Sequence, residues 1–181
     1  MHGDSLLHKR IVIIGGTTGL GWSAAKAFVA NGASVVVTGR NPENVQAAQE
    51  ELGMAVKALA LDATHEGAAT KAIQECVSAF GGFDGIYHVA GGSGRKMGDG
   101  PLHELSLEGW NKTFELNLSS LMLSNQAAVR YFLEHQQSGT ILNMGSVLGY
   151  SPSPRFFATH AYAAAKAAII GFSKSIAAYY A

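Results

Sequence analysis

The chain has 181 residues, 48% of them hydrophobic and 14% charged, which suits one globular domain with a sizeable core and excludes a disordered chain. Thirteen basic residues balance thirteen acidic ones and no basic run stands out, which argues against nucleic acid or an anionic membrane as the main partner. The single cysteine, Cys76, excludes an internal disulfide and fits a reducing compartment, so the expected localisation is cytoplasmic.

The first ten residues, MHGDSLLHKR, lack the apolar core of a signal peptide. No stretch is long and apolar enough to span a bilayer. Residues 161–181 come nearest, but Lys166 and Lys174 interrupt them. Seven histidines are scattered without metal-ligand spacing, so no metal site is expected.

Residues 11–14 are four β-branched residues in a row and predict a buried first strand. The run then breaks into Gly15, Gly19 and Gly21, spaced G-x-x-x-G-x-G. Residues 22–31 continue as a helix that Asn31-Gly32 stops. A strand turning on glycines into a helix brings backbone N–H groups and the positive end of a helix dipole to one spot, which suits phosphate. Gly15, Thr17, Thr18, Gly19, Leu20 and Gly21 are therefore candidate contacts of a dinucleotide, the alternative being a tight turn without ligand.

The second strand, residues 33–38, runs into Gly39-Arg40. An acidic residue closing this strand would bind the adenosine ribose hydroxyls and repel a 2′-phosphate. Here a guanidinium suits that phosphate and glycine leaves room for it, so NADP(H) is favoured over NAD(H). Otherwise Arg40 is a solvated strand end. Asn41 caps the next helix, with Pro42 in its first turn, to about Gly53.

A third strand over 55–61 ends in Asp62. Helix 65–80 carries Cys76 as a buried structural thiol, and strand 85–89 opens onto a flexible stretch over 90–100. Residues 106–137 read as mostly helical, with an irregularity around 117–120. Strand 139–144, a loop over 145–159 and a final helix over 160–180 follow. Strands alternating with helices predict an α/β fold: a doubly wound parallel sheet, Rossmann-like and three-layered α/β/α, in a single domain over 1–181. Its ligand crevice lies at the carboxyl ends of the strands.

Tyr162 and Lys166 lie four apart on a predicted helix, hence on one face. An ammonium beside a phenol favours the phenolate and lets it act as acid or base nearer neutral pH. Ser146 lies sixteen residues earlier, directly after the fifth strand, and reads as a crevice hydroxyl or as a turn residue.

In this order the motifs resemble the short-chain dehydrogenase/reductase family over nearly the whole chain. The glycine turn is similar to that family's T-G-x-x-x-G-x-G, with Ile14 where threonine usually stands. Leu61-Asp62-Ala63 is similar to the segment whose aspartate contacts the adenine ring. Ala90 and Gly91 match the end of N-N-A-G, whose asparagines are His88 and Val89 here. Asn117 matches the helix asparagine, Ser146 the catalytic serine, and Tyr162 with Lys166 the Y-x-x-x-K pair.

The resemblance implies reversible hydride transfer between NADP(H) and a carbonyl or secondary alcohol. It makes Tyr162 the general acid/base and has Ser146 hold the substrate oxygen. Lys166 would tune the tyrosine and grip the nicotinamide ribose, and Asn117 would order a water of the proton relay. The implied cofactor contacts are the turn residues, Arg40, Asp62, Ala63, Ala90, Gly91, Tyr162 and Lys166. Helix pairing across a twofold axis, helped by apolar residues over 116–132 and 163–178, implies a homodimer or homotetramer. Family members continue through two more strands and a substrate-covering loop, so the sheet is expected to lack its C-terminal strands here. His88 is expected to be a satisfied core histidine. Tyr150, Pro152, Pro154, Phe156 and Phe157 read either as one wall of a substrate pocket or as plain packing. A catalytically impaired nucleotide-binding or scaffold protein on the same fold is the competing reading.

Overall fold

The computed structural model of the protein describes residues 5–181, so the first four residues of the amino-terminal stretch lie outside the described residues. In chain order the elements are β1 (Arg10–Ile14), α1 (Gly19–Ala30), β2 (Ser34–Gly39), α2 (Pro42–Leu52), β3 (Val56–Ala60), α3 (Ala68–Phe80), β4 (Gly85–His88), α4 (Leu107–Phe114), α5 (Ser120–Glu134), β5 (Thr140–Asn143) and α6 (His160–Tyr180). The chain divides into two compact units. One comprises the residues up to Ala90 together with Leu121–Leu142; the other comprises Gly91–Ser120 and Asn143–Ala181.

The first unit is built on the parallel sheet, in the order β3-β2-β1-β4-β5. Successive residues of a strand point to opposite faces, and the core divides accordingly. Val12, Ile14, Val36 and Ile86 pack with Ile73 and Cys76 of α3 and Ala128 of α5. Ile13, Val35, Val37 and Val56 pack on the other face with Ala25 of α1 and Ala48 of α2. Because helices cover both faces, β1 and β2 are unbroken apolar runs instead of alternating ones. Each of these fully buried valines and isoleucines contributes roughly 1.5–3 kcal/mol. The expected α/β, doubly wound, Rossmann-like sheet is what is found.

Register decides where the loops emerge. Ile14 stands opposite Thr38 on β2 and His88 on β4, and Gly39 stands opposite Ala60 on β3. The segments that follow these strands therefore leave the sheet along one edge. Helix α1 begins at Gly19, three residues earlier than expected, because Thr18 is extended (φ −148°, ψ 165°) and acts as N-cap. Asn41 caps α2 as expected, its Oδ1 accepting from the backbone N–H of Glu43 at 2.8 Å.

The second unit holds α4, capped by Ser106 through the Gly109 amide at 2.9 Å, and α6 with the bounds expected of it. The irregularity expected around 117–120 is a single π-helical turn, Glu115–Ser119. Such turns insert one residue into a helix and frequently mark functional positions. Among the described residues no helix is long and apolar enough to cross a membrane.

Candidate functional site

The nucleotide candidates from Gly15 to Ala90 lie in the first unit, at the carboxyl ends of β1 to β4, whereas Gly91, Tyr162 and Lys166 belong to the second. Gly15 and Gly21 keep the turn tight: a Cβ on Gly15 would lie 2.7 Å from the Ala90 nitrogen, and one on Gly21 would overlap the Gly15 carbonyl oxygen. Gly19, at φ +56°, faces open space. Thr18 makes no side-chain cap bond to α1, whereas α2 has its Asn41. The turn thus offers a helix amino terminus with its first amides uncapped, beside room for a group to approach. It fits a dinucleotide phosphate. Leu20 is exposed there.

Arg40 and Asp62 close β2 and β3. Asp62 Oδ1 accepts from the backbone N–H of Thr64 at 2.9 Å and from its hydroxyl at 2.8 Å. Partial burial pushes this carboxyl up, but the Thr64 bonds and the charge of Arg40 outweigh it and hold the group below the usual carboxylate range. Arg40 Nη1 lies 4.0 Å from Asp62 Oδ2, with the arginine side chain 67% exposed. So loose and solvated a pair holds little energy, and the guanidinium can turn toward an anion. Arg40, Asn41, Pro42 and Glu43 line an open depression of about 630 Å³. The room expected over Gly39 is absent, because the side chain of Thr17 fills it.

His88, which stands where the resemblance implies an asparagine, is 1% exposed. Its Nε2 faces the Ala90 carbonyl at 3.1 Å, and its Nδ1 faces the Ser124 hydroxyl at 2.8 Å. A carbonyl can only accept, so Nε2 carries a proton in this arrangement. His88 braces the Ala90 backbone, and Ala90 N–H in turn donates to the Ile14 carbonyl at 2.8 Å. The expected satisfied core histidine is found. Cys76 is fully buried, and burial pushes its thiol up to about 12, so it is inert.

The four catalytic candidates lie together in the second unit. Lys166, 3% exposed on α6, donates from Nζ to the Met144 carbonyl at 2.8 Å, and its Nζ lies 5.7 Å from the centroid of the Tyr162 ring. Burial lowers the ammonium to about 8. Met144 precedes Ser146 by two residues, so this bond ties the serine segment to the helix of the tyrosine. Packing of the Val147–Gly149 turn does the same, for a Cβ on Gly149 would lie 2.9 Å from the Ala167 nitrogen. Ser146 Oγ accepts from the Leu148 amide at 3.2 Å, which fixes the oxygen and leaves its hydrogen to donate elsewhere.

Asn117 is fully buried in the π turn. Its Oδ1 accepts from Gly92 N–H at 3.0 Å, while Nδ2 donates to the Gly92 and Thr113 carbonyls, each at 2.9 Å. The amide thus clamps the segment after β4. A Cβ on Gly91 would come within 2.7 Å of Oδ1, so close packing requires glycine there. Both amide hydrogens are engaged, and the side chain can meet a water only through Oδ1. Tyr150, Phe156 and Phe157 are 73%, 64% and 48% exposed. Arg95 secures their loop, donating to the Phe156 carbonyl at 2.8 Å and lying over the Phe157 ring.

One residue escaped the sequence reading. Asp99, 4% exposed, accepts from the backbone N–H groups of Ala161 at 3.0 Å and Tyr162 at 2.9 Å. It caps α6 from sixty-two residues away, where Thr159 makes no side-chain cap bond. The only local signal was an N-cap threonine with no acidic residue in the first helical turn.

A sequence model of the family described as short chain dehydrogenase matches residues 9–181. The chain belongs to that family. Among its relatives, a 3-oxoacyl-acyl-carrier-protein reductase of Chlamydia trachomatis is 33% identical over 175 residues, covering 94% of this chain and 67% of that protein. A 3beta-hydroxysteroid dehydrogenase 2 of Eggerthella lenta is 30% identical, covering 99% and 68%. A crystal structure of a short chain dehydrogenase from Bacillus anthracis superposes with a TM-score of 0.85 at 28% identity, covering 96% of this chain and 68% of that one. The chain spans about two thirds of the length of the relatives it matches.

Proposed function

We propose that this chain carries the catalytic residues of an oxidoreductase that interconverts a carbonyl and a secondary alcohol, with NADP(H) preferred to NAD(H). The observation that carries the reading is the buried Lys166 ammonium, which sits against the Tyr162 ring and holds the carbonyl two residues before Ser146. A lysine is this fully buried only where something requires it.

The dinucleotide would be held by the turn from Gly15 to Gly21, by Arg40 at a 2′-phosphate, by Asp62, Ala63, Ala90 and Gly91, and by Tyr162 and Lys166. When bound it supplies the hydride. Tyr162 donates a proton from its hydroxyl to the carbonyl oxygen, and withdraws it in the oxidative direction. Ser146 donates its hydroxyl hydrogen to that same oxygen, since the bond from the Leu148 amide occupies only one lone pair of Oγ and leaves the hydrogen available. Lys166 uses one of its three N–H groups on Met144, which leaves two for a ribose and keeps positive charge beside the tyrosine. Asn117 acts first on the Gly92 backbone and meets a relay water through Oδ1. The exposed aromatic side chains of residues 150–157 flank the serine segment and support an apolar substrate body. Exposed Met122 and Leu133 on α5 and Ile170 on α6 support a homo-oligomer.

The test is Tyr162→Phe, assayed by carbonyl-dependent NADPH oxidation on a panel of ketones beside NADPH binding by fluorescence. Turnover is expected to fall by roughly a hundredfold or more with binding retained. Turnover near that of the wild type would refute the assignment. A wild type that binds NADPH and turns over no ketone would favour the scaffold reading.

A further inference from the structure

Gly39 ends β2, and its backbone does not require glycine. Its φ lies outside the left-handed region that the turn glycines Gly15 and Gly19 occupy. What requires glycine is Thr17. A Cβ built on Gly39 would overlap Thr17 Oγ1 and lie 2.9 Å from its Cγ2 and 3.0 Å from its Cβ. Threonine is stiff about χ1 and its Cβ, 3.0 Å from the added atom, is set by the backbone, so relief requires Thr17 to leave its present rotamer or the turn to move. No side chain at position 39 can coexist with Thr17 where it stands.

This bears on cofactor choice. An acidic residue closing the second strand binds the adenosine ribose hydroxyls and repels a 2′-phosphate. We propose that Thr17 is a specificity-determining residue. By filling the space over Gly39 it bars a carboxylate from the end of β2 and leaves Arg40 as the first side chain to meet the ribose. The proposal rests on the dinucleotide reading of the turn. It places cofactor preference in a steric pair formed between the glycine turn and β2, in addition to the charge at position 40.

The experiment combines nucleotide titration with thermal melts. NADPH and NADH are titrated separately, by fluorescence, into the wild type, Gly39→Asp, and the doubles of Gly39→Asp with Thr17→Ala and with Thr17→Gly. Gly39→Asp alone is expected to weaken NADPH by about tenfold or more without gaining NADH. In the doubles the aspartate finds room, and the NADH-to-NADPH affinity ratio is expected to rise by about tenfold or more over that of the wild type. In the melts, Gly39→Ala is expected to lower Tm by roughly 5 °C beside Thr17 and by much less in the Thr17→Gly background.

A wild type that binds neither nucleotide would overturn the dinucleotide reading and the specificity role with it, while the melts would still report on the steric pair. A wild type that prefers NADPH, with Gly39→Asp gaining NADH while Thr17 is intact, would overturn this proposal and leave that reading standing. Doubles that fail to fold, or that fold without a change in ratio, would overturn it as well, because removing Thr17 would then not have made the room.

Discussion

Asp99 offers the most direct check on how the catalytic helix is held. Its carboxylate accepts two backbone N–H groups at the start of α6, one of them on Tyr162 itself, with no help from the Thr159 side chain. Asp99→Ala leaves the amide of the fully buried Ala161 without this acceptor, while water reaches the half-buried Tyr162 more easily. The cap consists of these bonds, and losing hydrogen bonds to a charged group costs about 1.5–3 kcal/mol, so the variant is expected to be less stable by about that much. Asp99→Asn keeps one acceptor oxygen and is expected to lose about half as much. Urea unfolding gives the stability, and hydrogen exchange at the Ala161 and Tyr162 amides reports the bonds themselves. With the first helical turn loosened, turnover is expected to fall roughly ten- to a hundredfold, with a smaller loss of NADPH binding because most of the proposed nucleotide contacts lie in the other unit. Stability within about 0.5 kcal/mol of the wild type, with both amides equally protected, would refute the capping role.

Lys166 predicts a pH dependence of stability. Burial lowers its ammonium from 10.5 to about 8, so the native state releases this proton before the unfolded chain does. Below pH 8 both states are protonated and the penalty of burying the charge, up to about 3 kcal/mol, is fully present. Between pH 8 and 10.5 only the unfolded chain still holds the proton, so wild-type stability should rise relative to Lys166→Met; a difference that stays flat from pH 7 to pH 10 in urea would contradict this. His88→Leu keeps the volume but removes the partners of Ala90 and Ser124, and is expected to destabilise by about 1–3 kcal/mol. His88→Asn should recover part of that, and equal melting of all three proteins would show that the imidazole braces nothing.

Much of this protein was legible in short stretches of sequence. The β-branched run over 11–14 and the valines of 35–37 made strands because both faces of the sheet are covered. Asn41 and Pro42 set a helix start between them, and the spacing of Tyr162 and Lys166 put both on α6. Local dihedral preferences, capping and periodicity operate within a few residues, so one chain segment carries them entire. Tertiary structure alone decided which segments meet. Asp99 reaches α6 across sixty-two residues, Asn117 clamps Gly92, and Lys166 takes the Met144 carbonyl. Thr17 fills the room that glycine at position 39 was expected to leave. Each of these contacts depends on the register and packing of elements distant in sequence, which no local pattern encodes. The residues of the candidate site were readable in order along the chain, and what holds them was settled by packing.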